Sequence, residues 1–344
     1  PRPMAILAID QGTSATKALV IDGDSVLGSA ETPVDVVATV DGGVELDPDE
    51  LWASVLDAGT RALDEAGRPH LEAIGLANQG ETVLPWDHAT GEALGRAIVW
   101  QDGRSGPLCD SLAAHGPRLA ELTGLQLDPY FVAPKLAWLR PQVGLGTTIT
   151  TTDTWLLRRL CGAFVTDLAT AGRSLLLDLD RGVWSDEACA IFGVDPASLP
   201  TVVGNAEPLG ECTWFGGSVP VTGACVDQQA ALFAQRCLER GEAKCTFGTG
   251  AFLLASTGRA PARSANGLVA CPAWRIGADT TWCLDGQVLT VGAAVDWLID
   301  VGIVGEPADL DRLGAMVGDS GGATFVPALA GLAAPFWRPN AKAA

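Results

Sequence analysis

The sequence predicts an α/β protein, and three observations support this prediction. Short apolar runs rich in Val, Ile and Leu alternate with longer segments that carry apolar residues at helical spacing. Of the 344 residues, 48% are hydrophobic and only 18% are charged, so the chain can bury a large core and is not disordered. The length is enough for about two domains of roughly 150 residues each.

The charge and the cysteines narrow the class of protein. Asp plus Glu number 41 against 22 Lys plus Arg, which gives a net charge of −19 and a field that repels nucleic acid. No apolar stretch approaches the roughly 20 residues of a membrane-spanning helix. The nine cysteines form neither a CxxC pair nor a metal-ligand spacing. We therefore expect a cytoplasmic protein with reduced cysteines, no nucleic-acid partner and no membrane contact.

The N-terminal segment predicts a meander of three strands. Residues 4–9, 18–21 and 25–30 are apolar or alternating runs of strand type. The turn between the first two is Asp10-Gln11-Gly12-Thr13-Ser14, and Asp22-Gly23-Asp24 closes the second strand. A hairpin with a turn rich in Gly and Thr therefore opens the chain.

Helices and buried strands alternate in the next part of the chain. A helix begins at Asp47-Pro48-Asp49-Glu50, where Asp47 can cap the first turn and Glu50 is placed for a capping box. Gly67 ends this helix. Further predicted elements are strands at 73–77, 97–100 and 219–226, and helices at 133–140, 153–160, 186–192 and 228–240.

A second strand-turn-strand unit covers residues 244–255, with Gly248-Thr249-Gly250 as its turn. It repeats the form of the first hairpin. Two such hairpins, each opening one half of the chain, predict a duplicated architecture with a first domain at 1–236 and a second at 237–344. The boundary near residue 236 rests on this repetition alone, because no low-complexity linker marks it.

The first hairpin carries groups that suit a phosphate together with its metal. Gly12 lets backbone N–H groups approach a ligand, and the hydroxyls of Thr13 and Ser14 can donate to phosphate oxygens. Lys17 can offset negative charge, and Asp10 can hold Mg²⁺ through water. Turns favour the same residue types, so an ordinary hairpin turn is an equally good interpretation of residues 10–17 taken alone. No Walker A motif is present.

The turn Gly248-Thr249-Gly250, taken alone, is more typical of a structural turn than of a ligand site. Paired with the first hairpin, it would supply the second of two facing phosphate loops. A nucleotide held between two lobes requires such a pair. The hypothesis of a nucleotide cleft therefore depends on Thr13 and Thr249 lying across one crevice.

Asp227 lies where the predicted strand 219–226 gives way to a helix. A carboxylate at this position is a helix cap by default, and position alone favours that interpretation. The helix N-terminus would also keep the group ionised. It could then accept the proton of a substrate hydroxyl while that oxygen attacks a phosphoryl group.

Polar and aromatic residues near two further strands suggest a binding site for a polyol or a sugar. Asn78-Gln79-Gly80-Glu81-Thr82 follows one buried strand, Trp100 ends the next, and Tyr130 is the only tyrosine of the chain. Aromatic faces beside hydroxyl-binding groups bind such ligands, although an isolated Trp or Tyr more often packs in a core.

Seven segments, in one order along the chain, resemble the motifs of the FGGY carbohydrate kinases, most closely those of the glycerol kinases among them. Any one of the segments is weak, but the ordered set is specific. The segments are Asp10-Gln11-Gly12-Thr13-Ser14, Asn78-Gln79-Gly80-Glu81-Thr82, Ile98-Val99-Trp100-Gln101, Asp128-Pro129-Tyr130-Phe131, Asp227-Gln228-Gln229-Ala230-Ala231, Gly248-Thr249-Gly250 and Gly331-Leu332-Ala333-Ala334-Pro335-Phe336-Trp337.

The resemblance implies an actin-like ATPase (ribonuclease H-like) fold of two lobes, with ATP and Mg²⁺ in the cleft. It implies ATP-dependent phosphorylation of a primary hydroxyl of a small polyol or sugar, with Asp227 as the general base and Asp10 serving the metal. The nucleotide contacts that it implies are Thr13, Ser14, Lys17, Thr249, Gly292 and Asp296. The alcohol-site residues that it implies are Gly80, Glu81, Trp100, Tyr130, Asp227, Gln228 and Phe252.

The chain departs from the glycerol kinase pattern. Gly80 stands where glycerol kinases carry an arginine, which removes a cation that would hold substrate hydroxyls and the product phosphate. Lys17, Asp102-Gly103-Arg104 and Ala133-Pro134-Lys135-Leu136 match xylulokinases instead, so a ketose kinase of the same family is the alternative. The chain also ends before the family's glycine-rich adenosine-binding loop, and we expect a second lobe that is incomplete.

Two alternatives belong to other classes. Gly318-Asp319-Ser320-Gly321-Gly322 matches the nucleophile loop of trypsin-like serine proteases, with His115 in the corresponding order. Its surroundings, however, predict a helix at 308–317 followed by a strand at 323–326, and a protease of this kind needs β-barrels. A non-catalytic nucleotide-binding module would need no base at Asp227. The sequence does not decide whether the chain forms a homo-oligomer, dimeric or tetrameric.

Overall fold

The computed structural model describes residues 4–344 as an α/β protein, as the sequence predicts. The strands are β1 (Met4–Gln11), β2 (Ala15–Asp22), β3 (Ser25–Pro33), β4 (Val36–Ala38), β5 (Val44–Leu46), β6 (His70–Asn78), β7 (Val83–Trp86), β8 (Ala97–Ile98), β9 (Thr148–Thr151), β10 (Val165–Asp167), β11 (Leu177–Asp178), β12 (Val183–Trp184), β13 (Thr201–Val203), β14 (Gly210–Cys212), β15 (Val219–Val226), β16 (Ala243–Phe247), β17 (Ala251–Gly258), β18 (Val269–Ile276) and β19 (Asp279–Val288). The helices are α1 (Pro48–Glu65), α2 (Gly106–Ser111), α3 (Gly116–Thr123), α4 (Val132–Leu139), α5 (Thr152–Cys161), α6 (Leu168–Ala171), α7 (Asp186–Phe192), α8 (Asp227–Ala234), α9 (Gly292–Asp300) and α10 (Ala308–Gly314).

A six-stranded sheet in the order β14-β15-β6-β1-β2-β3 forms the centre of the first part of the chain. The strands β1, β2 and β3 form the predicted antiparallel meander. On the other side of β1, the strands β6 and β15 pair in parallel, with Gln11 opposite Asn78 and Asn78 opposite Val226. Because the carboxyl ends of parallel strands meet at one edge of a sheet, the segments that follow these three residues lie side by side.

The first helix covers one face of this sheet. Its N-cap is Asp47, whose carboxylate accepts from the Asp49 N–H at 2.9 Å, as predicted. Leu51 and Val55 belong to its buried stripe and are inaccessible to solvent. The helix lies against β2 and β3. At Gly28 of β3 a Cβ atom would sit 2.3 Å from the Ala62 carbonyl oxygen, so glycine permits this close approach.

A second sheet, in the order β16-β17-β19-β18, contains antiparallel pairs throughout. The strands β16 and β17 are the predicted second hairpin around residues 248–250. The strand β18 is tied to the first part of the chain, since the Ala270 N–H donates to the Gly124 carbonyl at 2.9 Å. The Arg275 N–H likewise donates to Asn205 Oδ1 at 2.8 Å. These hydrogen bonds connect the second sheet to loops of the first part of the chain.

The helix predicted at 228–240 is shorter than expected. It ends at Ala234 because Arg236 adopts a left-handed backbone with φ of 59°. The Arg236 N–H donates to the Phe233 carbonyl at 2.9 Å, and the Cys237 N–H donates to the Leu232 carbonyl at 3.1 Å. This pair of contacts is a Schellman motif, closed by buried Leu232 and Cys237, and it stops the helix without a glycine.

Three other predictions, of one strand and of the ends of two elements, are wrong. No strand forms at 323–326, because no strand lies beside this segment within residues 4–344. Its backbone hydrogen bonds are the mutual pair of Val326 and Ala344 and local turn contacts, such as the one from the Ala323 N–H to the Ser320 carbonyl. The strand predicted at 97–100 ends at Ile98, and Trp100 lies in the turn that follows. The helix predicted at 308–317 ends at Gly314.

The sheets of residues 4–344 are open rather than closed into barrels, which leaves the protease alternative without its scaffold. Ser320 and His115 are both exposed, and neither side chain has a hydrogen bond within the described residues. All nine cysteines are free thiols. Within the same residues, no helix is both long enough and apolar enough to cross a membrane.

Candidate active site

A cavity of about 320 Å³ opens between the two hairpins and collects most of the predicted site residues. Its walls come from the edge of the first sheet where β1, β6 and β15 end, and from the hairpin of β16 and β17. Thr13 and Thr249 both line it. The other predicted residues that line it are Asp10, Ser14, Lys17, Gly80, Glu81, Trp100, Tyr130, Asp227, Gln228 and Phe252.

The first hairpin presents hydroxyls to this cavity. Its turn is closed by a 3.0 Å hydrogen bond from the Gly12 N–H to the Ala15 carbonyl. Thr13 Oγ1 accepts from the Trp100 indole, so its own hydrogen stays free to donate. Lys17 is exposed, and its Nζ lies 4.0 Å from Glu31 Oε2. This solvent-exposed ion pair is too weak to hold the ammonium in one place. The cation therefore remains available to an anionic ligand.

The turn of the second hairpin is supported from behind by the N-terminus of α9. The Gly292 N–H donates to the Gly248 carbonyl at 3.0 Å, and a Cβ atom on Gly292 would lie 2.5 Å from that oxygen. Gly292 therefore positions the turn without lining the cavity. Asp296 lies further along α9, is exposed and does not line the cavity either. These are the two predicted nucleotide residues that the structure leaves outside the cavity.

Asp227 is the first residue of α8, and Val226 is the N-cap. The Asp227 carboxylate accepts from its neighbour Gln228, at 2.7 Å from the backbone N–H and 3.3 Å from Nε2. Burial, with the charges of Asp10 and Glu81, raises the pKa of Asp227 to about 7. A half-buried carboxyl group that titrates near neutral pH and faces a cavity can exchange a proton with a ligand.

Glu81 is held in an uncommon backbone conformation. Its φ is 57°, in the left-handed region that non-glycine residues rarely adopt. The side chain is buried, and its Oε1 accepts from Arg173 Nε at 2.5 Å. Burial raises the pKa of Glu81, and the Arg173 guanidinium opposes that rise. Backbone strain of this kind clusters at active sites and ligand-binding positions.

Three aromatic rings form one wall of the cavity. The Trp100 ring packs edge-on against Tyr130, with centroids 5.7 Å apart, and against Phe252, with centroids 6.0 Å apart. Trp100 and Tyr130 come from the first part of the chain, whereas Phe252 lies on β17 of the second sheet. The wall is therefore complete only when the two sheets meet. Apolar faces beside buried polar groups suit the carbon skeleton of a polyol.

The sequence prediction missed Arg173, which also lines the cavity. This residue follows α6 in a segment rich in Ala and Gly, where no motif or periodicity distinguishes an arginine. It missed Lys244 as well, whose buried Nζ donates to Gln228 Oε1 at 2.6 Å. The alternation of β16, which places Lys244 on the same face as Thr246, was the available signal for the second residue.

The acidic groups of the cavity suit a magnesium ion that is shared with a ligand. Asp10 is accessible to solvent. Partial desolvation by its surroundings raises the pKa of the Asp10 carboxyl, and the positive charge of Lys17 opposes that rise. Residues 4–344 hold no cluster of three or more His, Cys, Asp or Glu side chains that could bind a metal alone. Mg²⁺ typically takes one or two carboxylates and completes its shell with water and phosphate, which this donor set allows.

Comparisons with known proteins agree with this geometry. The N-terminal domain of the FGGY family of carbohydrate kinases matches residues 5–234, and the C-terminal domain of that family matches residues 243–344. The glycerol kinase of Alkalilimnicola ehrlichii is 42% identical over 357 residues, which cover 98% of this chain and 72% of that protein.

Solved structures give the same result. The crystal structure of Plasmodium falciparum glycerol kinase with ADP has a TM-score of 0.89 at 30% identity and covers 99% of this chain and 72% of its own. A xylulose kinase from Brucella ovis has a TM-score of 0.84 at 26% identity, and the match covers 98% of this chain and 72% of that protein. The fold is thus the actin-like ATPase fold of two domains, as the resemblance implied. With both family domains matched in order over nearly its whole length, the chain belongs to the FGGY family of carbohydrate kinases.

Proposed function

We propose that this kinase transfers the terminal phosphoryl group of ATP to a primary hydroxyl of a small polyol, with glycerol as the first candidate. The observation that carries the proposal is the position of Asp227, which lines the same cavity as Thr13 and Thr249. Two relatives that are 42% and 43% identical to this chain are named glycerol kinase, and this supports the choice of a polyol.

In this proposal Asp227 is the general base. With a pKa of about 7 it is largely ionised at slightly alkaline pH and can accept the proton of the attacking hydroxyl. Gln228, adjacent to it, and Glu81 would orient the alcohol, while the aromatic wall of Trp100, Tyr130 and Phe252 excludes water from its carbon atoms. Most of the rate enhancement would then come from positioning and charge, because phosphoryl transfer needs little covalent assistance.

The two hairpins would hold the phosphates of the nucleotide from opposite sides. Thr13, Ser14 and Thr249 would donate their hydroxyl hydrogens, and Lys17 would approach the terminal phosphate. Gly292 would act by supporting the second turn. Mg²⁺, bound to the phosphates and to Asp10 through water, would neutralise charge on the transferred group. Asp296, exposed on α9, would contact the nucleotide outside the cavity that the hairpins enclose.

A ketose kinase is the second candidate. Gly80 leaves the cavity without a cation at the place where glycerol kinases carry an arginine, and the xylulose kinase of Brucella ovis shares the fold at 26% identity. We further propose a domain boundary near residue 236, which agrees with the short gap between the two matched family domains at 234 and 243. A cytoplasmic location remains a prediction of the sequence.

The test is a coupled assay of ADP release with glycerol, erythritol, xylulose, ribulose and gluconate as acceptors, combined with calorimetric titration of each alcohol. We expect turnover with a polyol, and a loss of about 10²–10⁴-fold in kcat for Asp227→Asn with nucleotide binding nearly unchanged. Turnover retained by Asp227→Asn would remove this residue from the mechanism. A wild-type chain that neither turns over nor binds any of the five compounds would contradict the proposed function.

A further inference from the structure

Arg173 is a buried cation with a carboxylate on each side. Its Nε donates to Glu81 Oε1 at 2.5 Å, and its Nη1 donates to Asp285 Oδ2, also at 2.5 Å. Its Nη2 donates to the Tyr130 hydroxyl at 3.3 Å. The side chains of Arg173, Glu81 and Asp285 are between 2% and 5% exposed. Such a desolvated, multiply hydrogen-bonded group has one geometry rather than several.

The two carboxylates come from different parts of the chain. Glu81 follows β6 of the first sheet, and Asp285 lies on β19 of the second sheet. Arg173 itself is in the loop after α6, where its N–H donates to the Thr170 carbonyl at 3.0 Å. The guanidinium is therefore fixed from both sheets at once, and only when they are in contact.

Two polar groups of this cluster remain available to a ligand in the cavity. Glu81 uses Oε1 for Arg173, whereas its Oε2 has no hydrogen bond within residues 4–344. Arg173 Nη2 carries two N–H groups and makes one contact, to Tyr130. Glu81, Arg173 and Tyr130 all line the cavity. A free acceptor beside a free donor matches an alcohol hydroxyl, which both donates and accepts.

We propose that Arg173 is a positioning residue for the alcohol site: it holds the Glu81 carboxylate so that Oε2 faces a substrate hydroxyl, and Asp285 holds Arg173 from the second sheet. The inference rests on the proposed function, since it concerns the same cavity. It adds a cation that sequence motifs did not indicate, in a chain where Gly80 replaces the arginine of glycerol kinases. It also makes alcohol binding depend on contact between the two sheets.

The experiment compares wild type with Arg173→Gln, Arg173→Lys, Glu81→Gln and the double variant Arg173→Gln/Glu81→Gln. We expect Arg173→Gln to raise the KM for the polyol by about ten- to a hundredfold, the cost of losing hydrogen bonds to a charged group, with the KM for ATP changed little. Arg173→Lys should recover part of the loss. Because Arg173 acts on the substrate largely through Glu81, the effects of the two substitutions should not add, and the double variant should lose less polyol affinity than their sum.

Arg104→Gln is the matched control. Arg104 also bridges two carboxylates, Asp102 at 2.6 Å and Glu45 at 2.8 Å, but it does not line the cavity. We expect this variant to lower the melting temperature without raising the KM for the polyol. An unchanged polyol KM in a folded Arg173→Gln, or a double variant whose effects simply add, overturns the inference while an active wild type leaves the proposed function intact. A wild type without polyol turnover or binding removes both.

Discussion

The indole N–H of Trp100 donates a 2.9 Å hydrogen bond to Thr13 Oγ1, across 87 residues of sequence. Trp100 belongs to the aromatic wall, and Thr13 belongs to the first hairpin. The proposed alcohol and phosphate sites are therefore joined by one contact. Since the indole donates, the Thr13 hydroxyl must direct its own hydrogen elsewhere, and the cavity is where a phosphate oxygen would lie.

We predict that Trp100→Phe impairs the use of both substrates. Phenylalanine keeps an aromatic ring near Tyr130 and Phe252 but cannot donate to Thr13 Oγ1. The loss of one hydrogen bond, worth about 0.5–1.5 kcal/mol, corresponds to a two- to tenfold rise in KM. Steady-state kinetics with the polyol and ATP varied in turn measure it. Thr13→Val, which removes the same bond from the other end, is the matched variant, and a rise confined to the polyol in both variants would contradict the coupling.

The pKa of Asp227 predicts how activity depends on pH. Burial and the negative charges of Asp10 and Glu81 raise this pKa to about 7, so below pH 7 the group is mostly protonated and cannot act as a base. We expect kcat/KM for the polyol to fall about tenfold per pH unit below pH 7 and to level off above it. A cation bound near Asp10 stabilises the ionised form of Asp227. At saturating Mg-ATP, the fall in kcat should therefore begin at a lower pH than the fall in kcat/KM. A flat profile between pH 5.5 and 8 is the contrary result.

The second hairpin offers a sharp comparison of two glycines. A Cβ atom on Gly292 would lie 2.5 Å from the Gly248 carbonyl oxygen, whereas a Cβ atom on Gly248 would meet nothing within 4 Å. We predict that Gly292→Ala displaces the turn around Thr249 and weakens ATP binding, with an overpacking cost of about 1–3 kcal/mol. Gly248→Ala, in the same turn, adds a methyl group without such a clash and should weaken ATP binding less. Titration calorimetry with ATP decides, and equal effects of the two substitutions would exclude the steric explanation.

Gly80 controls the choice between polyol and ketose in our proposal. A Cβ atom there would lie 3.0 Å from Val226 Cγ2, a contact that a small shift of the valine relieves, and the backbone φ of Gly80 does not require glycine. We predict that Gly80→Arg raises kcat/KM for glycerol relative to xylulose, because a guanidinium would reach substrate hydroxyls. Gly80→Met, of similar length without charge, is the control. An unchanged ratio in Gly80→Arg would mean that the substrate is selected elsewhere.

Local patterns in the sequence predicted the parts of the site that lie next to strand ends. Asp10 lies at the end of β1, and Glu81 and Asp227 follow β6 and β15. Periodicity reveals all three strands, and their parallel pairing brings these residues to one edge. The end of α8 was not predictable from a glycine, because Arg236 takes the left-handed conformation in its place. Local signals thus located the elements well and their ends less well.

Arg173 shows what sequence patterns leave out. Its partners Glu81 and Asp285 lie 92 and 112 residues away along the chain, so only the assembled sheets give it a role. The supporting position of Gly292 is similar, since it depends on where α9 meets the second hairpin. Contacts between distant segments are set by packing, and a single sequence carries no periodic trace of them.

Asp167 provides a prediction on stability that is independent of catalysis. This buried carboxyl accepts from the Ala169 N–H at 2.8 Å and from Asn205 Nδ2 at 2.8 Å. Burial, assisted by the negative charge of Asp153, raises its pKa from 3.8 to about 7. Between these two pH values the folded state binds the proton more tightly than the unfolded state. The free energy of unfolding must therefore decrease as the pH rises from about 4 to about 7.

We predict that Asp167→Asn, which is neutral at every pH, reduces this slope. From pH 5 to pH 7.5 the melting temperature of the wild type should fall by about 4–12 °C more than that of the variant. A folded pKa of about 7 corresponds to about 2–3 kcal/mol over this range, and each kcal/mol shifts the melting temperature of a domain of 150–250 residues by about 2–4 °C. Part of the slope should remain, because burial also raises the pKa of Asp128 and Asp153. Asp24→Asn, at an exposed turn, is the control and should follow the wild type. Parallel curves for wild type and Asp167→Asn would show that this carboxyl group titrates alike in the folded and unfolded chain.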